Sequence, residues 1–577
     1  MLIQKAPPRG RFFLLQTSYL TLGGFFFLGS WLAPNHYPPW TSFHNEAMMF
    51  AAVIIFSLHA VNEAKSMKAP WLLYGLTGAI IVLIWLQFAM GLIAYGGDAL
   101  TSTIYLVATV LAWRLGAGTV VNRHVRDSSV VFFAILVVIA AVASTLLGVL
   151  QWLQLETVLG VFAAERGPNM RPYANIAQPN LLATLLVMGT VFGYLLYARR
   201  LIRKWQLVVL TLILSFGLVI TESRAGLLSA VCVGAFLLIR GKSAWFIGKR
   251  LTVMLWWLQL LLLSNFWRPL NEMLLLQPVR QVIIGVDSVR MLIWKQTVAA
   301  IWESPWIGYG WRQTIVAQKV GVDSIPGGAP TDYAHNFVLD ILTWVGIPLG
   351  VLIVLAALWW LLRTIRQLKD VVELLLFSAT IPILVHSMFE FPFAYAFFLF
   401  PMAWLFGALH VRQHPSQYIK ISSGFKFVKL LSTITVFAFA ALCSQIAIEY
   451  FEAEEDCRVM RFEMRNVGSR PVDYESPRLV LLTQLDEMLK MGRIKPRRQM
   501  PFEEIERMRK ANLSLAWGSL HLNYIIALGL NGRPDEATKQ LNNLSALYGD
   551  TTYRSAVEEL HRSRDEKYPE LSLILTN

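Results

Sequence analysis

The sequence predicts an all-α polytopic membrane protein of about 13 transmembrane helices, followed by a C-terminal helical domain outside the membrane. The 577 residues have a mean hydropathy of +0.50 and only 15% are charged, whereas soluble globular proteins have about 25%. The apolar residues also fall in runs of about 20, which is enough to cross about 30 Å of hydrocarbon as a helix. Because the runs lack alternation at period two, the sequence does not predict a membrane β-barrel.

The runs give the position of each predicted span. They lie at approximately 11–33, 46–62, 71–94, 99–121, 129–155, 179–198, 205–221, 224–240, 245–265, 336–362, 371–388, 393–411 and 428–450.

Lysine and arginine residues indicate the orientation of the chain. They gather in alternate loops, for example at Lys65 and Lys68 and at Arg199–Lys204, and basic loops face the cytoplasm. An odd number of spans then puts everything after about residue 450 outside, which in a diderm bacterium is the periplasm. We therefore expect a multi-pass protein of the bacterial inner membrane, and this bias also accounts for the net charge of +14. The basic residues are dispersed over short loops, which argues against nucleic-acid binding.

These spans divide the chain into four parts. The predicted domains are N-terminal transmembrane helices with a periplasmic loop at 156–183 and a turn at 221–226 (1–265), a large periplasmic loop (266–335), C-terminal transmembrane helices (336–450) and a periplasmic helical domain (451–577). Within the last part, helical patterns at Phe502–Met508 and Asn512–Leu530 are followed by Gly532-Arg-Pro-Asp-Glu-Ala537. A turn of this kind between two amphipathic helices resembles one tetratricopeptide unit, although a small helical bundle is an alternative.

His335, Arg290 and Arg224 are the first candidates for chemistry. His335 begins an apolar run directly after a Gly- and Pro-rich loop, so it is expected at the water boundary, where a neutral imidazole can accept a proton. Arginine offers a planar, permanently charged fork to phosphate oxygens. The alternatives are a packed histidine and arginines that anchor helices at the membrane surface. Asp287 and Ser288 precede a helical pattern that ends near Pro305, so Ser288 is a candidate cap for the helix that carries Arg290.

A second set of polar residues lies in two other loops. Arg171, Gln178 and Asn180 belong to a proline-rich segment that enters an apolar span, and the amides are suited to binding sugar hydroxyls or a phosphate, or to capping the span. His386 and Glu390 are one helical turn apart, so they are candidates either for substrate binding or for a structural pair. No Walker, dinucleotide or His-Glu-x-x-His motif is present. We expect no cofactor and no metal.

Five motifs in order resemble the O-antigen ligase and polymerase superfamily (WaaL- and Wzy-like proteins). They are Thr221-Glu-Ser-Arg-Ala-Gly226, Ser288-Val-Arg290, Glu303-Ser-Pro-Trp-Ile-Gly-Tyr-Gly310, His335-Asn336, and Val385-His-Ser-Met-Phe-Glu-Phe-Pro-Phe-Ala-Tyr395. The last motif and the stretch from Gly167 to Ala183 resemble bacterial protein O-oligosaccharyltransferases of the PglL type. The resemblance covers roughly residues 150–410 and implies a GT-C-like fold.

The resemblance also implies a reaction. Its donor would be an undecaprenyl-diphosphate oligosaccharide, and its acceptor a Ser or Thr hydroxyl of a periplasmic protein, with type IV pilin as one example. His335 would be the essential histidine, Arg224 and Arg290 would bind the diphosphate, and Gln178 would help to hold the donor. No metal or nucleotide would be needed. A single displacement would invert the anomeric centre.

Other functions share parts of this pattern. An O-antigen ligase would transfer the same donor to lipid A-core, and an O-antigen polymerase would transfer it to another lipid-linked glycan. A transporter or lipid flippase would carry charges near the bilayer midplane, whereas here the charged residues gather at the outer boundary. The loop at 156–183 and the C-terminal domain favour the protein ligase.

Overall fold

The structure is a computed structural model of the whole chain. It describes residues 9–63, 71–118, 123–167, 170–241, 250–276, 288–414, 425–465, 467, 474–515 and 517–575. Within these ranges the secondary structure consists of helices, with no strand.

The described residues form 23 α-helices. In chain order they are α1 (Arg9–Leu32), α2 (Phe43–Glu63), α3 (Trp71–Ala89), α4 (Gly96–Gly118), α5 (Arg123–Trp152), α6 (Pro179–Ala198), α7 (Lys204–Ile220), α8 (Arg224–Arg240), α9 (Arg250–Met273), α10 (Ser288–Glu303), α11 (Thr314–Ser324), α12 (Phe337–Val345), α13 (Ile347–Arg366), α14 (Val371–Ser378), α15 (Ile381–His386), α16 (Ala396–Gln413), α17 (Phe425–Met464), α18 (Thr483–Arg493), α19 (Phe502–Ser514), α20 (Gly518–Leu530), α21 (Pro534–Tyr548), α22 (Asp550–Glu566) and α23 (Ser572–Leu575).

Each apolar run predicted as a span coincides with a helix or with two consecutive helices. Among the described residues, seven helices are long and apolar enough to cross a membrane: α2 to α6, α13 and α17. The helices at Lys204–Ile220 and Val371–His386 are apolar but shorter. A polytopic membrane protein is therefore confirmed, whereas the number of 13 crossings stays a prediction.

The predicted span 336–362 is two helices rather than one, and the break is at Gly346. This residue has φ +78, a conformation that side chains disfavour. A Cβ at this position would lie 2.5 Å from backbone atoms of Trp306, and the N–H of Ile347 donates to Pro305 O at 2.7 Å. The close approach of two chain segments thus needs glycine, and the shorter α12 becomes part of the loops while α13 enters the apolar layer.

Helix α6 is at the centre of the bundle. Of its residues 89% are buried, compared with 11% for α3 and for α13. A helix that is apolar on every side is expected in the interior, where each face has a helical neighbour, and α6 packs against α5, α7, α8 and α14. Its first turn therefore presents Asn180 from a rigid, buried position.

The long loops meet on one side of the bundle, which we call the loop face. It comprises residues 33–42, 90–95, 153–167, 170–178, 221–223, 304–336 and 387–395. Hydrogen bonds join several of these segments: His36 Nε2 is 3.1 Å from Asn175 O, and Arg171 donates to Glu222 O at 3.0 Å.

The C-terminal helices follow α17 and pack on the loop face. Helix α17 has 40 residues, a length of about 60 Å or twice the hydrocarbon thickness, and the predicted domain boundary at 450 falls inside it. Helices α18 to α23 enclose a second apolar core around Tyr524, Leu544 and Leu560. Within it α20 and α21 pack as a pair joined by a tight turn at Gly532, φ +78. The helix predicted from Asn512 to Leu530 is interrupted, since α19 ends at Ser514 and α20 begins at Gly518.

Candidate active site

Glu390 is the centre of a polar cluster on the loop face. Its Oε2 is 2.7 Å from His335 Nδ1. Its Oε1 accepts hydrogen bonds from the Arg290 guanidinium and, at 3.2 Å, from Asn180 Nδ2. The Glu390 side chain is 5% exposed, whereas those of His335 and Arg290 are 20% and 26% exposed. A buried carboxylate therefore holds two functional groups that are both open to solvent.

The backbone around His335 is held in an uncommon conformation. His335 has φ +55, a region in which a residue with a side chain is stable only if its surroundings enforce it. Ala334 N donates to Asp340 Oδ1 at 2.8 Å, and Phe337 N donates to Ser387 O at 2.9 Å. Asn336 caps α12 by accepting from the N–H groups of Val338 and Leu339. Bonds on both sides of His335 thus fix the direction of its ring.

The partners of His335 assign its tautomer. A carboxylate can only accept, so the hydrogen on Nδ1 points at Glu390 and the lone pair lies on Nε2. Nε2 is 3.4 Å from the Thr331 hydroxyl, but that hydroxyl donates to Tyr333 O at 2.8 Å. The Nε2 lone pair is therefore free to receive a proton from an incoming hydroxyl group.

Glu390 is ionised across the physiological range. Burial acts to raise its pKa, but the hydrogen bond from His335 and the positive charge of Arg290 outweigh burial and lower the pKa to about 2. A permanent negative charge next to Nδ1 stabilises a protonated imidazole ring, as required of a base that has just accepted a proton.

Arg290 lies in the first turn of α10, which begins at Ser288. Its guanidinium contacts Glu390 and remains part-exposed. Asp287 is outside the described residues, as is the side chain of Ser288, so the predicted cap at the start of this helix stays a prediction. The helix start does place the partial positive charge of its N–H groups beside Arg290.

Two further loops join the cluster through Asn180. Asn180 Oδ1 accepts from Ser223 Oγ at 2.8 Å, and Ser223 caps α8 by accepting from Gly226 N at 3.0 Å. The next residue, Arg224, has an exposed side chain at the first position of α8. Arg171 donates to Glu222 O at 3.0 Å and so fixes the 156–178 loop to this turn. The four loops singled out in the sequence thus meet at one place.

Three family models match the chain. The "O-Antigen ligase" model matches residues 209–354, the "Protein glycosylation ligase" model residues 172–197, and the "Virulence factor membrane-bound polymerase, C-terminal" model residues 374–561. The chain is similar to a general O-oligosaccharyltransferase of Acinetobacter baylyi, at 26% identity over 90% of both chains. It is also similar to a ComP-specific O-oligosaccharyltransferase of the same strain, at 27% identity over 68% of this chain and 71% of the relative.

These matches support a PglL-type glycosyltransferase of the O-antigen ligase superfamily. The three matched stretches include the residues of the Glu390 cluster. Asn180 falls in the protein glycosylation ligase stretch, Arg224, Arg290 and His335 in the O-antigen ligase stretch, and His386 and Glu390 in the polymerase stretch.

The side chains of His386 and Glu390 do not contact each other. Glu390 N donates to His386 O, but the His386 ring places Nδ1 2.8 Å from Thr184 Oγ1 on α6. The ring is fully buried, and its Nε2 has no hydrogen-bond partner among the described residues. The expected structural pair is thus replaced by two separate contacts, and only Glu390 reaches His335.

Gln178 is the residue directly before α6, with Pro179 as the first helical residue, and its side chain is half-buried. Its role in holding a donor stays a prediction. Sequence reasoning missed Thr331, Ser223, Thr184 and Asp340, which position the cluster. A hydroxyl residue in a loop has no distinctive local pattern, so only Ser223, which stands directly before Arg224 in a capping position, carried a signal.

Proposed function

We propose that this enzyme transfers an oligosaccharide en bloc from an undecaprenyl-diphosphate-linked donor to Ser or Thr hydroxyls of a periplasmic or pilus protein. The observation that carries the proposal is the His335–Glu390 pair, which leaves Nε2 open as a base next to Arg290. The similarity to two O-oligosaccharyltransferases supports the class of reaction. In this proposal the cluster faces the periplasm of a bacterial inner-membrane protein, as the distribution of basic residues predicts.

The proposed step is one displacement at the anomeric carbon. The acceptor oxygen forms a bond to this carbon while its proton moves to His335 Nε2. The bond from the anomeric carbon to the diphosphate oxygen breaks, and its electron pair leaves with undecaprenyl diphosphate. A general base in this position contributes about 10²- to 10⁴-fold to the rate. Attack opposite the leaving group inverts the configuration of the sugar.

Arg290 and Arg224 are the proposed ligands of the diphosphate. Negative charge grows on the leaving group as the bond breaks, and preorganised cations stabilise that charge most strongly where solvent is excluded. Arg290 has further N–H groups besides the one that contacts Glu390. Arg290 can therefore contact the diphosphate while Glu390 still fixes its position.

Gln178, half-buried directly before α6, has an amide group suited to sugar hydroxyls. Asn180, in contrast, is buried and uses its Nδ2 and Oδ1 on Glu390 and Ser223, so its role is to position Glu390 and not to bind the donor.

The surface of α10 supports a donor that arrives from the membrane. Trp302 and Trp306, near the end of this helix, are 69% and 77% exposed. Pro305 accepts a hydrogen bond from Ile347, the first residue of the apolar helix α13, so both tryptophans lie near the level at which α13 enters the lipid. Tryptophan favours this level of a bilayer. The lipid chain of a donor at Arg290 would extend along the same boundary.

Product analysis tests the proposal. Purified enzyme in lipid nanodiscs is mixed with lipid-linked oligosaccharide and an acceptor polypeptide, and mass spectrometry locates the glycan. We expect an intact oligosaccharide on a Ser or Thr residue, with the anomeric configuration inverted by NMR. Retention of configuration would exclude the single displacement.

The alternative acceptor is lipid A-core, since one matched family model is that of O-antigen ligases. A gene deletion in the native bacterium separates the two functions. The proposal predicts loss of periplasmic glycopeptides with an unchanged lipopolysaccharide ladder. Loss of the ladder with glycopeptides intact would reject the protein acceptor.

A further inference from the structure

The imidazole ring of His335 has two differently occupied sides. The Nδ1 side holds Glu390, with Arg290 and Asn180 beyond it. The Nε2 side faces Thr331, and the neighbouring residue Asp332 has an exposed side chain. If Nε2 takes the proton of the acceptor, the acceptor must lie on the side of Thr331 and Asp332, away from the arginine that would hold the donor.

Arg312 and Asp332 form a charged wall on this side. Arg312 is exposed, has φ +61, and lies with Cζ 5.9 Å from the centre of the Tyr333 ring. Burial by the surrounding protein raises the pKa of Asp332, while the charges of Arg312 and Lys319 act in the opposite direction. The Asp332 side chain is therefore exposed but has protein close around it. Among the described residues, neither Arg312 nor Asp332 takes part in a salt bridge.

The C-terminal helices contact the chain on two flanks of Arg312 and Asp332. Lys319, which is electrostatically coupled to Asp332, donates to the carbonyl oxygens of Asn512 and Leu515 at the end of α19. On the other flank Arg312 is coupled to Asp98, and the adjacent Gly97 donates to Thr483 Oγ1 at 2.9 Å. Arg312 and Asp332 therefore lie where the His335 loop meets the C-terminal domain, and we call this region the cleft.

We propose that Arg312 and Asp332 bind the acceptor polypeptide on either side of the residue that is glycosylated. Asp332 accepts from a peptide N–H group or a basic side chain of the flanking residues, and Arg312 donates to a carbonyl group or an acidic side chain of the flanking residues. The inference rests on the proposed function, because it takes Nε2 of His335 as the acceptor of the hydroxyl proton. A polypeptide fits this cleft because the C-terminal domain borders it and because both charges lie close to His335. Asp332 is on the same loop as His335, and Arg312 lies beside the intervening Tyr333.

Two acceptors of different size test the inference in the full-length enzyme in nanodiscs. One is an acceptor peptide, and the other is N-acetylserinamide, which has the hydroxyl but no flanking residues. For Asp332→Asn and Arg312→Gln we expect the KM for the peptide to rise about tenfold, the size of one charge-assisted hydrogen bond. The KM for the donor and the rate with N-acetylserinamide should not change.

Asp323→Asn is the matched control, because it removes an exposed carboxylate from the end of α11 on the same loop. This variant should leave the KM for the peptide unchanged. Asp332→Lys should in addition shift preference from peptides with basic flanking residues to peptides with acidic ones, a gain that a misfolded protein cannot show.

The outcomes separate the two proposals. Equal losses of activity with both acceptors, or an unchanged KM for the peptide in Asp332→Asn and Arg312→Gln, would overturn the proposal that the cleft binds the acceptor. Neither result would contradict the proposed transfer reaction. Failure of the unmodified enzyme to glycosylate either acceptor would overturn the proposed function and the cleft together.

Discussion

Two histidine–glutamate pairs, one on the loop face and one between α2 and α17, have nearly the same contact but different surroundings. His335 Nδ1 is 2.7 Å from Glu390, and His44 Nε2 is 2.9 Å from Glu454. The two histidines are 20% and 18% exposed, but the carboxylates differ, at 5% for Glu390 and 23% for Glu454. Glu390 also binds Arg290 and Asn180, whereas His44 lies among the rings of Phe43, Tyr450 and Phe451.

The difference shows what a short His–Glu distance does and does not indicate. The pair at His44 joins α2 to α17, two helices that already pack on each other, and its aromatic neighbours offer nothing that binds an anion. The pair at His335 is anchored by a buried carboxylate and lies beside a part-exposed arginine. The convergence of a base, a fixed carboxylate and a cation distinguishes the candidate site from a structural contact.

Replacing each of the two histidines separately gives the largest expected difference in transfer rate. His335→Ala should lower the rate of glycan transfer by about 10²- to 10⁴-fold, because the acceptor hydroxyl loses its base. His44→Ala removes the ring of the other pair and should keep the rate within about twofold, since no reacting group contacts it. The measurement is single-turnover transfer with saturating donor and acceptor. Full activity of His335→Ala would refute its proposed role.

Glu390→Gln tests whether the carboxylate orients the base. A carboxamide can present an N–H to Nδ1 and so favour the tautomer in which Nε2 carries the proton, and we expect the rate to fall by more than about tenfold. Glu454→Gln, the matched change in the other pair, should leave the rate unchanged. An equal response of both variants would remove the distinction between the pairs.

The same variant has a signature in the pH dependence of stability. The pKa of Glu390 is lowered to about 2 from an ordinary value of 4.5, so the stability gained from its ionised form is complete above pH 4.5 and is lost as the pH falls towards 2. Between about pH 5 and pH 3, the Tm of the unmodified enzyme should therefore fall more steeply than that of Glu390→Gln. Parallel curves would contradict the strong coupling of Glu390 to His335 and Arg290.

The sequence predicted most helix positions and the four loops that meet, because apolar runs and loop composition are local properties. It did not predict that Glu390 binds His335, since the two residues are 55 positions apart and spacing relates Glu390 only to His386. The sequence also predicted a single span where Gly346 separates two helices. The break could not be predicted, because glycine is required there by the close approach of Trp306. Contacts between distant segments have no signature in a single sequence.

Arg290→Lys should have a smaller effect, mainly on the donor. Lysine keeps the charge but presents a compact ammonium group rather than a planar fork, so it cannot hold Glu390 and a diphosphate with separate N–H groups. We expect the KM for the donor to rise about tenfold with little change in the KM for the acceptor. Arg268→Gln, which removes an exposed arginine near the end of α9, is the control. A change confined to the KM for the acceptor would mean that Arg290 binds the acceptor and not the donor.

The smallest expected effect is on the structural pair. His44→Gln should lower the free energy of unfolding by about 1 kcal/mol or less, because a part-exposed ion pair contributes little against solvent screening. Transfer kinetics should be unchanged, and the measurement is Tm beside the single-turnover rate. If His44→Gln impaired transfer at unchanged Tm, the His44 pair would take part in the reaction, and burial of the carboxylate would no longer separate the catalytic pair from the structural one.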